Sequence, residues 1–172
     1  MNMDLKPYIR DVQDFPKPGV LFKDITPLLA DPGAFASAVA MMSAHYATTP
    51  IDAIAAAEAR GFLFAAPMAL ELGKALIPLR KPGKLPYSTL SYKYDLEYGT
   101  AELHVHTDAV PHKARVLLVD DVLATGGTMA AACKLIEQAG GIVVGCAFLI
   151  ELSFLNGREQ LSGRDCFSLI TY

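Results

Sequence analysis

With 172 residues, 52% of them hydrophobic, the chain is long enough for one domain with a full core, and its formal net charge of −3 speaks against a nucleic-acid binder, which carries a basic patch. Cys133, Cys146 and Cys166 are odd in number and lack C-x-x-C spacing, so neither a disulfide framework nor a zinc site is indicated, and core thiols in a reducing compartment are expected. No apolar run reaches the roughly 18 residues of a membrane span and the N-terminus lacks a signal-peptide pattern, so a cytoplasmic protein with no membrane partner is expected.

No internal repeat, low-complexity tract or linker divides residues 1–172, which read as a single domain. The first segment, about 1–30, is proline-rich and opens with a short helical stretch over Met3–Ile9. From Pro32 to Ala47 apolar residues recur at helical spacing, with Asp31 as the N-cap and Pro32 in the first turn. Ile51–Ala57 reads as a buried strand, Phe62–Leu72 as a helix closed by Gly73, and Ala75–Leu79 as a second strand. Arg80–Gly99 carries Pro82, Gly83, Pro86, four tyrosines and several lysines without a helical stripe. So long an excursion from a compact domain is expected to be a flexible lid, spanning about 82–99. Strands over Thr100–His106, from Val116 and over Ile142–Glu151, a helix over Met129–Ala139 and a closing strand at Cys166–Ile170 complete the pattern. The alternation predicts an α/β fold: a mostly parallel sheet flanked by helices, with right-handed crossovers.

The run Val116–Thr128, V-L-L-V-D-D-V-L-A-T-G-G-T, carries the most chemistry. An uninterrupted aliphatic run is the mark of a buried parallel strand, and ligands of open α/β sheets bind beyond the carboxyl ends of such strands. Asp120 and Asp121 fall there, suited to sugar hydroxyls or to a metal. The following Ala124, Thr125, Gly126, Gly127 and Thr128 bring hydroxyls and free backbone N–H groups to a helix mouth, which suits a phosphate dianion. A sugar phosphate needs both features at once. A Walker B strand also ends in acids, but the chain has no G-x-x-x-x-G-K-[ST] partner and no G-x-G-x-x-G fingerprint.

Three other segments bear on function. Glu58, Ala59, Arg60 and Gly61 follow a second strand end and open a second helix, which makes either another anion site or a surface ion pair of Glu58 with Arg60. Phe15–Pro27 is a rigid proline-rich arm, either a strap across a dimer or sheet edge or, through Phe22, an aromatic face for a base. Leu96–Leu103 follows the excursion and could be a charged edge strand with a tyrosine. His104 and His106 share one face of a strand; without a third ligand nearby, a solvated face is favoured over a metal pair.

The Val116–Thr128 run resembles the phosphoribosyl-pyrophosphate signature of the type I phosphoribosyltransferases. E-A-R-G-F-L-F from Glu58, F-P-K-P-G-V-L-F-K-D-I from Phe15 and L-E-Y-G-T-A-E-L from Leu96 resemble segments of the adenine phosphoribosyltransferases. The likeness covers nearly the whole chain and departs at Ala65, where glycine is expected and helix packing is what changes. It implies the type I phosphoribosyltransferase fold with an N-terminal hood over the base. The implied reaction joins adenine to phosphoribosyl pyrophosphate, giving AMP and pyrophosphate, with Mg²⁺ held through substrate and not by protein side chains directly. By position, Asp120 and Asp121 engage the ribose, and Ala124–Thr128 hold the 5-phosphate. Glu58, Ala59, Arg60, Gly61, Arg80, Lys81 and Lys84 approach pyrophosphate, with Arg80 reaching across a homodimer. Val20, Phe22 and Lys23 face adenine; where Lys23 stands, Arg is the other common choice. Glu97 handles protons at the base, so that Glu97, Asp120 and Asp121 are the catalytic set, and Tyr98 belongs to the lid. Hypoxanthine, guanine, xanthine or orotate are alternative bases. A regulatory protein that kept the sugar-phosphate site should lack Glu97 or carry a nucleic-acid-binding extension, and this chain does neither.

Overall fold

In the computed structural model, which describes residues 3–95 and 99–172, the apolar runs become a five-stranded, wholly parallel sheet. Its order is β4 (Ala75–Leu79), β3 (Ala53–Ala57), β7 (Arg115–Leu123), β8 (Ile142–Glu151) and β9 (Cys166–Thr171). The central strands are apolar on both faces because both faces are covered. Ile54, Ala56, Leu117 and Val119 pack with α2 (Pro32–His45) and α3 (Gly61–Leu72) on one side. Ala55, Val116, Leu118 and Phe148 pack with α4 (Gly127–Gln138) on the other.

The helix boundaries follow local chemistry. Asp31 caps α2 by accepting the Ala34 N–H at 2.8 Å, and Pro32 supplies the first helical φ. Gly73 ends α3 in the left-handed conformation, as its sequence position predicts. From β3 the chain winds outward to β4; from β7 it winds the other way to β8 and β9. The direction therefore reverses between β3 and β7, which leaves a crevice at their carboxyl ends.

Several expectations are revised. Met3–Ile9 is not a helix beyond a single 3₁₀ turn, Lys6–Tyr8, after which β1 (Arg10–Val12) pairs antiparallel with β2 (Phe22–Asp24), followed by α1 (Thr26–Ala30). The excursion after β4 is not all loop: β5 (Thr89–Asp95) pairs antiparallel with β6 (Thr100–His106). Leu90, Tyr92 and Tyr94 alternate inward onto the α4 side of the core, a period-2 pattern that T-L-S-Y-K-Y-D displays. β6 joins this hairpin and is tied to the edge of the main sheet by the Arg80–His104 bridge, with Leu103 and Val105 buried in the same core as Ile77 and Leu79 of β4. His104 and His106 are half-buried, not solvated: His104 meets Thr89 and Glu102, and His106 Nε2 accepts the Tyr87 N–H. Among the described residues no group of three or more His, Cys, Asp or Glu is placed to hold a metal ion.

Candidate active site

A cavity of about 560 Å³ opens at the reversal point between β3 and β7. β7 does not stop at its acids; it runs on to Leu123 beside β8, whereas its pairing with β3 ends at Leu118, so Asp120 and Asp121 sit where only one neighbouring strand continues. Asp121 is buried, and its Oδ2 lies 2.8 Å from Arg60 Nε, an ion pair without hydrogen-bond alignment that leaves this oxygen with no hydrogen-bond partner. The Asp121 N–H donates to Asp120 Oδ1 at 2.8 Å. Burial, and then the charge of Asp121 beside it, push the Asp120 carboxyl well above the usual carboxylate range. Gly61 lets α3 start hard against this pair, since a Cβ there would stand 3.0 Å from Asp120 Oδ1 and 3.1 Å from the Val119 carbonyl oxygen.

Beyond the acids, Ala124–Thr128 wrap the mouth of α4, whose first turn begins at Gly127 with Gly126 in the left-handed conformation. The first N–H groups of a helix have no internal acceptor and face an anion favourably. Glu58, Ala59 and Arg60 close the second wall, and Val20, Leu21, Phe22 and Lys23 of the N-terminal segment close the third. The Phe22 ring packs edge-on to Phe15 at 5.0 Å and lies 5.2 Å from the Arg60 guanidinium.

A cavity that joins paired acids, an amide-rich helix mouth and an aromatic face carries the shape of the expected chemistry, and comparison with known proteins decides the family. Residues 26–167 match the phosphoribosyl transferase domain. The chain is 55% identical over 170 residues to the adenine phosphoribosyltransferase of Kosmotoga olearia, covering 99% of this chain and 100% of that one. The chain belongs to the adenine phosphoribosyltransferases. The crystal structure of a family member from Thermoanaerobacter pseudethanolicus superposes with a TM-score of 0.95 at 54% identity, covering 98% of each chain. That of Saccharomyces cerevisiae, complexed with an imino-altritol bisphosphate and adenine, gives 0.90 at 37% identity, covering 96% of each.

In this family member the remaining expected residues divide. Glu58 pairs not with Arg60 but with Arg80, at 3.0 Å, and accepts the Lys81 N–H at 2.6 Å. The Lys81 amide, then Arg80, hold the Glu58 carboxyl below its ordinary range. Lys81 lines a neighbouring cavity of about 670 Å³ with Lys93, Tyr94 and Glu102; Glu58 and Thr128 border both cavities. Lys84 is exposed and lines neither. Lys23 borders the first cavity, but its amine is turned aside, 2.6 Å from Asp11 and 3.8 Å from the Tyr172 ring centroid. Glu97 and Tyr98 lie outside the described residues.

The sequence reading missed what backs the Ala124–Thr128 loop. A Cβ on Gly157 would press into the Ala124 carbonyl oxygen, and one on Gly126 into the Gly157 carbonyl oxygen. Glu151, buried at the end of β8, accepts two hydrogen bonds of 2.7 Å from Arg158 and so holds this segment in place. Leu152 and Leu155 line the cavity from the same stretch. The only sequence signal is the glycine at 157 followed by arginine, too short to stand alone. Tyr94 adds a link from β5, its hydroxyl 3.4 Å from Thr128 Oγ1.

Proposed function

We propose that the chain transfers the phosphoribosyl group of phosphoribosyl pyrophosphate to adenine, giving AMP and pyrophosphate. The observation that carries this reading is the single cavity bordered by Asp120–Asp121, by Ala124–Thr128 and by Phe22. Each wall suits one part of the product: hydroxyls, phosphate and base.

The reaction breaks the bond from the sugar C1 to pyrophosphate, and positive charge grows on the ribose ring as that bond lengthens. Asp120 and Asp121 orient the ring through its hydroxyls and stabilise this charge from a site that water does not screen. Ala124, Thr125, Gly126, Gly127 and Thr128 hold the 5-phosphate, so the ring is fixed at both ends. Arg60, with Ala59 and Gly61, and Arg80, Lys81 and Lys84 bring positive charge or amides toward the leaving pyrophosphate, while Glu58 keeps the Arg80–Lys81 strand end in place. Phe22 covers the base, and the backbone at Val20 and Phe22 reads its edge. Lys23 acts by holding that strand. Glu97 handles the N9 proton of adenine. The segment about 1–30 serves as the hood, and 82–99, with Tyr98, closes over the cationic centre to exclude water. No covalent nucleophile is needed.

The buried Oδ2 of Asp121, which faces the Arg60 charge but accepts no hydrogen bond, fits a neighbouring hard cation and its water shell. Mg²⁺, carried in by the substrate, would neutralise pyrophosphate oxygens next to Asp121 and Asp120. A homodimer is proposed because Leu70 is 85% exposed, and Leu63 and Leu76 each 40%, on α3 and β4 near Arg80. A mass in solution of twice 18.5 kDa is expected by light scattering; a monomer at micromolar concentration contradicts it. No described helix is long and apolar enough to cross a membrane, and three free thiols suit the cytoplasm.

The deciding experiment offers adenine, hypoxanthine, guanine, xanthine and orotate separately, each with phosphoribosyl pyrophosphate and Mg²⁺, and follows nucleotide and pyrophosphate. AMP from adenine alone is expected. Turnover of a different base overturns the reading of Phe22 and its neighbours. Absence of product with intact ligand binding overturns the enzyme.

A further inference from the structure

The three cysteines, far apart in sequence, meet on one face of the sheet. Cys146 on β8 and Cys166 on β9 are register partners, so their side chains leave the sheet on the same side. α4 lays Cys133 on that face, its Sγ 3.6 Å from Cys146 Sγ. The Cys146 thiol therefore has a thiol neighbour on each side, and the strand spacing of about 4.8 Å lies within the Cα separation of roughly 4.4–6.8 Å that a disulfide spans. Cys133 and Cys146 are wholly buried, whereas Cys166 is partly open. With no metal-holding cluster among the described residues, oxidation is favoured over ligation.

We infer that Cys166 is the entry point for an oxidant, and that hydrogen peroxide installs a disulfide on Cys146, first with Cys166 and finally with Cys133. The Cys166 thiolate attacks one peroxide oxygen, forming a sulfenic acid as the O–O bond breaks and the first water leaves. The Cys146 thiol attacks that sulfur and gives up its proton to the departing hydroxide, forming the Cys146–Cys166 bond and releasing the second water. Cys133 then attacks Cys146, and Cys166 departs as thiolate, ready to take up a proton. Two thiols have lost two protons and two electrons, and one peroxide has become two waters.

The surroundings support this order. The hydrogen bond from Cys146, and then the Arg158 charge, hold the Cys166 thiol below its ordinary range, while Cys146, enclosed between its neighbours, is pushed up. Arg158 is fixed there by its 2.8 Å hydrogen bond to the Cys166 carbonyl. The final bond fastens α4, into whose first turn the loop Ala124–Thr128 runs, to β8.

The test treats the reduced, full-length protein with one equivalent of hydrogen peroxide, denatures it in alkylating agent, counts thiols and maps linked peptides. Three thiols are expected to fall to one, with the Cys133 and Cys146 peptides joined, and dithiothreitol should restore all three. Cys166→Ser should lose its thiols more slowly by about tenfold, because the accessible thiolate is gone. Three thiols that persist, loss at Cys166 alone that dithiothreitol does not reverse, disulfides between copies, or an unchanged rate in Cys166→Ser would each overturn the inference.

Discussion

The Ala124–Thr128 loop is built into the core, whereas the strand bearing Phe22 hangs from the surface. Around the loop, Leu123, Met129 and Leu161 are almost fully buried, and Gly126 and Gly157 bring two backbones into direct contact. The Glu151–Arg158 pair locks that contact from behind. β1 and β2 are three residues each, and what holds them is polar: Arg10 to Asp24, Lys23 to Asp11, and Lys23 against the Tyr172 ring. Core packing stores positional precision; exposed ion pairs contribute little and yield easily. Under the proposed function, a sugar phosphate would meet a prepared site and a base an adjustable one.

Removing Asp121 tests the prepared side most severely. Asp121→Ala should cut turnover by about 10³-fold, the scale of losing one preorganised electrostatic partner, while circular dichroism stays unchanged, because the buried oxygen has no hydrogen bond to lose and the Arg60 it releases is partly exposed to water. Full activity in the variant would remove the ribose assignment. Glu97→Gln should lower kcat by about 10²-fold with sugar-phosphate affinity nearly unchanged; the opposite split would misplace Glu97. Gly157→Ala pushes on the Ala124 carbonyl, and an increase of about tenfold in KM for phosphoribosyl pyrophosphate, with KM for adenine held, is expected for overpacking of roughly 1–3 kcal/mol. An equal rise in both constants would dissolve the contrast between the two sides. Lys23→Met should raise KM for adenine by only a few-fold, in keeping with exposed pairs of about 1 kcal/mol or less, and leave kcat in place.

The smallest effect concerns stability. Because folding raises the Asp120 pKa, its ionisation penalises the folded state, and the penalty is present above the folded value. Below the unfolded value, about 3.9, both states are protonated and nothing is lost. Asp120→Asn should therefore raise Tm at neutral pH, with the gain fading as pH falls toward that range, even as turnover drops. A Tm unchanged or lowered at neutral pH would remove the burial argument. Such a trade of stability for function is expected where a site holds adjacent acids.

Much of this was legible in the chain. Val116–Val119 reads as a strand buried on both faces, and the adjacent acids after it have no packing purpose. Asp31, Pro32 and Gly73 mark helix ends through local backbone chemistry, which needs no distant partner. What stayed hidden depends on distant partners. β1, β2 and α1 are too short to show a period, and β5 alternates clearly only once Leu90, Tyr92 and Tyr94 have a core to face. The sequence placed Glu58 two residues from Arg60, yet parallel pairing of β3 with β4 sets Glu58 beside Arg80, and the closeness of β3 to β7 gives Arg60 to Asp121.

Sequence by itself determined the strand, the loop and the charges of the site, because hydrophobic period, capping and glycine content act over a few residues. Tertiary structure alone decided which charge neutralises which, what stands behind the Ala124–Thr128 loop, and that three scattered cysteines share one face. Those outcomes depend on strand order and close approach, which are properties of the folded whole.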